Sequence, residues 1–549
     1  MNRRNLMIVA LCALVGFSVV GQTTVTTAPP AQPPKNWFNL DPVNDKVNGV
    51  STEKAYQLLQ GRSSVPVVVA VIDSGIDIEH EDLKDVVWVN EDEIPGNGID
   101  DDNNGYIDDV HGWNFLGGKD GRNVNEETLE VTRLYRALGK KFKDVAKSDV
   151  ADEDKAQYEL WLDVQKEFEK SAGEAVEQYS VYEGVTRAVK RYNKLFEAYL
   201  DTDQVTYEKV SQIDSKDAII DVSKRHLMVI YEATDESMPL ADLLAALETD
   251  MEQLTTPAQY YYNVDFDPRD IVGDDPNKLD EVGYGNNDVI GLETDNFHGT
   301  HVAGIIAASR GNGVGMDGVA ANVQIMAIRA VPKGDERDKD VANAIRYAVD
   351  NGARVVNMSF GKDYSPNQAY VSEAIAYARE KGVLLVHAAG NDAQNIDEVG
   401  NFPNDKFGDI SNEWPNWIEV GASSWGSEED FIGNFSNFGR KSVDLFAPGV
   451  KIYSTAPGNE YQDAQGTSMA SPVVSGVAAL ILSYFPDLTA EQLKDVMMRS
   501  TRNMRRVKVL QPGSRDKMIN FGKLSVSGGI VNAHDAVKMA MSMEMKGKK

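Results

Sequence analysis

Gly466-Thr-Ser-Met-Ala-Ser-Pro472 runs directly into Val473-Val-Ser-Gly-Val-Ala-Ala-Leu-Ile-Leu482, and this junction decides the fold. No charged residue interrupts the run before Asp487, so it predicts a helix buried on every face. Pro472 suits a first helical turn, where its missing N–H removes no bond. Ser468 therefore stands at the N–H-rich, positive end of a buried helix. Taken alone, a serine in that place is a helix cap; its reading depends on what the rest of the chain brings to it.

Upstream, Val65 to Asp73 is almost continuously apolar, the pattern of a strand covered on both faces in a parallel sheet. Asp73 ends it, at the carboxyl end of a strand, where open α/β sheets gather their ligands. His298-Gly-Thr-His-Val-Ala-Gly304 opens an apolar helix. Strand and helix signals then alternate: strands at Val323–Arg329, Val355–Met358, Val383–Ala388, Ile418–Ala422 and Val443–Phe446, and helices at Val341–Asn351, Val371–Lys381 and Ala490–Arg499. This predicts a doubly wound, mostly parallel α/β sheet with helices on both faces. Asp73, His298 and Ser468 together offer a carboxylate, a base and a hydroxyl. A serine hydroxyl needs an imidazole to take its proton, and the imidazole needs a carboxylate to orient it.

The three stretches Asp73-Ser-Gly75, His298-Gly-Thr-His-Val-Ala-Gly304 and Gly466-Thr-Ser-Met-Ala-Ser-Pro472 resemble the catalytic signatures of the subtilisin-like serine proteases (subtilases, peptidase family S8). Asn357-Met-Ser-Phe-Gly361 resembles their substrate-lining segment, and Ala388-Ala-Gly-Asn391 the one that carries the oxyanion-hole asparagine. The resemblance covers 37–110 and 265–540. It implies a secreted serine endopeptidase with Asp73, His298 and Ser468 as catalytic residues and Asn391 in the oxyanion hole. Ser359, Phe360, Gly361, Ala389 and Gly390 would then line the substrate cleft. It also implies polypeptide substrates, no catalytic cofactor, and a core-facing role for His301. Competing readings keep the fold but not the reaction: a non-catalytic scaffold, or an amidase or transpeptidase.

Between 119 and 261 the pattern changes to one-sided helical stripes: Val131, Leu134, Leu138, Phe142 and Val145; Val185, Val189, Tyr192, Phe196 and Tyr199; Leu240, Leu243, Leu247, Met251 and Leu254. These predict a helical insertion splitting a peptidase domain at 37–118 and 262–540. It separates Asp73 from His298, and it is expected as decoration, as a cover for the cleft, or as a docking surface.

The net charge of −30 over 549 residues excludes a nucleic-acid binder, which needs a basic face. Arg3 and Arg4 before the apolar run Leu6–Val20 form a signal peptide at 1–21, too short for a stable membrane span. Export to a periplasm or the exterior follows. Residues 22–36 form a flexible linker, 541–549 a basic tail. Little chain lies between Gln22 and the first strand, so no large N-terminal processing is expected. The only cysteine, Cys12, falls in the signal, leaving no disulfide in the mature chain. Asp100, Asp102, Asn104 and Asp108 follow the spacing of a calcium loop, although His111 replaces its usual Glu, and they make a candidate structural Ca²⁺ site.

Overall fold

The computed structural model describes residues 32–406, 414–426 and 428–547. The signal segment, Cys12, linker residues 22–31 and the last two residues of the tail lie outside these. The described residues divide into two compact units, one at Thr132–Val264 and one formed by 32–131 with those from Asp265 onward.

The larger unit is organised on a nine-stranded sheet. Seven of its strands are β1 (Val67–Asp73), β2 (Gly112–Asn114), β3 (Val323–Arg329), β4 (Val355–Met358), β5 (Leu384–Ala388), β6 (Trp417–Ser423) and β7 (Leu445–Pro448). They lie in the order β2-β3-β1-β4-β5-β6-β7, all parallel. Gly529–Ile530 extends the sheet beside β7, and Arg502–Asn503 closes it as an antiparallel edge.

Alternation along β1 explains why both faces are covered. Val67, Val69 and Val71 join the core containing the helices Phe297–Ala307 and Thr467–Tyr484. Ala70 and Ile72 join the core under the helices Asp338–Asp350 and Gln368–Glu380. Successive side chains point to opposite faces, so a strand apolar at every position binds two helical layers. β1 has β3 on one side and β4 on the other, and the chain order reverses there. Asp73 thus ends at the topological switch point where such folds open a crevice.

Two expectations are corrected, and one strand goes beyond the sequence reading. The strand β2 carries no recognisable pattern in its three residues, and the sequence does not predict it. The expected insertion boundary at 119 lies too early: Val124 is buried in the second core, and the Glu127 N–H bonds the Lys333 carbonyl at 2.7 Å, so 119–131 belong to the sheet unit. The tail is not separate either, because the helix Ala533–Gly547 continues through it, with Met541 and Met543 packed on the core.

The smaller unit is all helical. Its longest helix, Lys155–Leu200, has 46 residues, about 69 Å at 1.5 Å per residue. Near one end Tyr158 and Trp161 pack with Phe142. Toward the other, Val189, Tyr192 and Phe196 pack with Leu227, Tyr231, Leu240 and Leu243 from the helices Ala218–Ala233 and Leu240–Thr256. Among the described residues the one helix long and apolar enough to cross a membrane is Thr467–Tyr484, and it is buried.

Candidate active site

Asp73 is 2% exposed, and its Oδ1 accepts the Ser74 N–H at 2.8 Å. The same oxygen lies 2.7 Å from His298 Nδ1. A carboxylate can only accept, so Nδ1 carries the proton and Nε2 is left as the basic nitrogen. Gly299 permits this approach: a Cβ there would stand 2.2 Å from the Gly75 carbonyl oxygen. Burial disfavours the imidazolium, but the Asp73 charge and hydrogen bond outweigh it and hold the His298 pKa above its ordinary value. His301, one turn along, is fully buried with Nε2 donating to the Gln462 carbonyl at 3.1 Å. Burial pushes its pKa down to about 4, so it stays neutral.

Ser468 is the second residue of the helix Thr467–Tyr484, whose N-cap is Gly466. Pro472 consequently lies inside the helix, not in its first turn. Having no N–H, it leaves the Ser468 carbonyl without its i+4 donor. The Ser359 hydroxyl, just beyond β4, fills that vacancy at 3.0 Å. In return Ser468 Oγ donates to the Ser359 carbonyl at 3.1 Å. Ser359 Oγ also meets Ser471 Oγ at 2.7 Å and accepts from Asn357 Nδ2 at 2.9 Å, so a buried polar network ties β4 to the helix. Among the described residues no hydrogen bond joins Ser468 to His298. Such bonds are often long or absent before substrate binds.

Asn391, past the end of β5, is fixed by Thr467, for which the sequence suggests no role although it stands beside Ser468. Thr467 donates to Asn391 Oδ1 from its N–H at 2.9 Å and its hydroxyl at 3.1 Å, which leaves the NH₂ end free to donate elsewhere. Its hydroxyl also accepts the Gly390 N–H at 3.1 Å. Two cavities border Ser359. One, of about 260 Å³, is lined by Asp73, His298, Arg329 and Lys333. The other, of about 330 Å³, is lined by Ser359–Gly361, Ala388, Gly390, Asn391 and Ser468. Among the described residues no protein group pairs with the backbone of Phe360 or Gly361. Ala389 is fully buried, and its carbonyl is taken by Asn437 and Asn401.

In the acidic loop the structure gathers Glu93, Asp100 and Asp102, whose ligand atoms lie within 4.8 Å of one another. Asp108 is turned to the N–H groups of Asn97 and Gly98, and the Asn104 amide is spent on Asp102 and Asp109. Glu93, seven residues before the calcium-loop spacing begins, is not recognisable from it. The donors are all hard carboxylate oxygens, which fits Ca²⁺.

The model of the subtilase family matches residues 65–522. A thermophilic serine proteinase of Bacillus sp. (strain AK1) is 44% identical over 189 residues, 34% of this chain and 43% of that protein. Subtilisin DY of Bacillus licheniformis is 36% identical over 212 residues, 38% of this chain and 72% of its own length. Thermitase of Thermoactinomyces vulgaris is 39% identical over 189 residues, 34% of this chain and 62% of that protein. The matches thus span less than two thirds of the thermophilic proteinase and of thermitase. A doubly wound sheet, a carboxylate–imidazole pair at its switch point and a family match over most of the length lead to one assignment: this chain belongs to the subtilase family.

Proposed function

We propose that the protein is an exported serine endopeptidase. The observation that carries this reading is the 2.7 Å Asp73–His298 bond, set beside a cleft shared by Ser468 and Asn391. Ser468 Oγ turns from the Ser359 carbonyl toward His298 Nε2 and gives up its proton there as it attacks the substrate carbonyl. The resulting oxyanion is held by the Asn391 NH₂ and the Ser468 N–H. These donors act on charge that exists only in the transition state, so they lower the barrier more than they tighten binding. Collapse of the intermediate passes the proton from His298 to the leaving amine and leaves an acyl group on Ser468 Oγ. Water, deprotonated by the same imidazole, then releases the acid and restores the hydroxyl. The free backbone of Phe360 and Gly361 supports pairing with an extended substrate strand.

Labelling by a serine-directed fluorophosphonate, set against Ser468→Ala, tests the reading together with casein hydrolysis. Wild type that neither labels nor cleaves would refute it. Glu93, Asp100 and Asp102 would hold a structural Ca²⁺; its removal by chelator should lower the melting temperature and its return restore it. Export predicts a mature N-terminus at Gln22, and sequencing that begins beyond Trp37 would contradict the expected processing.

A further inference from the structure

The cavity on the Asn391 side of Ser468 has a chemical character of its own. A Cβ on Gly361 would stand 2.8 Å from Asn401 Oδ1, and one on Gly390 3.8 Å from it. That oxygen therefore occupies the space between two walls that lack side chains. Its direction is fixed. Asn401 Nδ2 faces the carbonyls of Ala389 at 3.1 Å and Ala388 at 3.4 Å and the Glu419 carboxylate at 3.3 Å. All three are acceptors, so the amide oxygen must point the other way, toward the cavity.

The charge at this cavity is one-sided. Asp363 and Asp392 line it and are exposed. Glu336 lines it from a buried position, and burial pushes its carboxyl up to about 7. The one cation lining it among the described residues is Lys362, and its ammonium is already committed. Lys362 Nζ lies 2.8 Å from each of Glu130 Oε2, Asp338 Oδ1 and the Glu336 carbonyl, with a side chain 1% exposed. Paired on two sides with carboxylates, it cannot offset the rim.

A substrate carbonyl held between Asn391 and the Ser468 N–H drops its own residue's side chain into the cavity those two groups border. We infer that this cavity receives a lysine or arginine side chain, so that the preferred substrates are polypeptides with a basic residue on the acyl side of the cleaved bond. The Asn401 oxygen accepts from the ammonium or guanidinium, and the Asp392 carboxylate draws it in. The inference rests on the peptidase reading above.

The test is a series of internally quenched peptides identical except for Lys, Arg, Phe, Leu or Glu at that position, with the full-length enzyme labelled in parallel by fluorophosphonate. Lys and Arg peptides should exceed Phe and Leu by about tenfold in kcat/KM, with Glu the slowest. Asn401→Leu and Asp392→Asn should each lower the Lys-to-Phe ratio severalfold, and concentrated salt should compress it. Asp392 is exposed, so its variant keeps the test alive if Asn401→Leu fails to fold. Labelled enzyme that cleaves Phe or Leu peptides as fast as Lys overturns the inference while leaving the peptidase intact. Enzyme that neither labels nor cleaves any peptide overturns both.

Discussion

The helix Ala218–Ala233 buries four of its 16 residues, Ile220, Ser223, Leu227 and Tyr231. The helix Thr467–Tyr484 buries 16 of 18. The first has one partnered stripe and one wet face, as do its neighbours in the Thr132–Val264 unit. The second lies against β1, β4, β5, β6 and β7 at once. A one-sided helix leaves most of its surface free to vary. A helix enclosed on all sides fixes its first turn in space, and Ser468 occupies that turn. The sheet unit also brings together Asp73 and His298, 225 positions apart, whereas the main core of the helical unit lies within Val189–Leu247.

The largest test of this contrast is Ser468→Ala. It should lower kcat by about a millionfold, the magnitude known for loss of the nucleophile in subtilisin, a member of the same family. Its melting temperature should hardly move, because Oγ contributes one hydrogen bond to the Ser359 carbonyl. A large loss of stability would mean that the hydroxyl is a structural cap after all. Next, Leu480→Ala and Leu227→Ala remove equally buried side chains from the two units. Each should cost about 2–5 kcal/mol locally, but only the Leu480 variant should lose peptide turnover. Equal loss of turnover in both would erase the distinction.

A smaller effect concerns pH. In the proposed mechanism His298 must be neutral to accept the proton, and Asp73 holds its pKa up. The acid limb of kcat/KM should therefore lie above that of an ordinary histidine at about 6.5. The stability term has the opposite sense: it is complete below the unfolded-state value and is lost as pH rises through the folded one. NMR titration of His298 in Ser468→Ala, with and without Asp73→Asn, checks this, and the asparagine should lower the midpoint. The smallest expected change is on short-peptide hydrolysis after replacing Thr132–Val264 with a brief linker, since neither core of the sheet contains a residue from it. Large and small substrates assayed separately would show whether the insertion limits access, and loss of folding would refute the independence of the sheet unit.

How much of this was legible in the sequence follows from how locally each feature is encoded. Val323–Arg329, Val355–Met358 and Ala490–Arg499 match the structure end to end, because buried strands and capped helices announce themselves within a few residues. The stripes at Val189, Tyr192 and Phe196 gave the insertion's helices, but not the continuity of Lys155–Leu200, whose central stretch carries few buried positions to mark it. Asp73, His298, Ser468 and Asn391 were visible as motifs, and the structure brings Asp73 to His298 and Asn391 to the start of the Ser468 helix. Thr467 as the clamp on Asn391, and Glu93 in place of Asp108, were not visible. Both depend on where a turn carries a side chain, which no spacing rule records.

The paired serines have one further consequence. Ser359 and Ser468 exchange hydroxyl for carbonyl in both directions, like two hands each gripping the other's wrist. One grip, Ser359 Oγ on the Ser468 carbonyl, replaces the bond that Pro472 denies the helix, and nothing in the reaction needs it to open. The other holds Ser468 Oγ, the attacking oxygen of the proposed mechanism, on a carbonyl of the segment proposed to pair with substrate. Under the proposed mechanism, a strand whose N–H bonds the Ser359 carbonyl competes with the Ser468 hydroxyl for that acceptor, so that filling the cleft weakens the hold on the nucleophile.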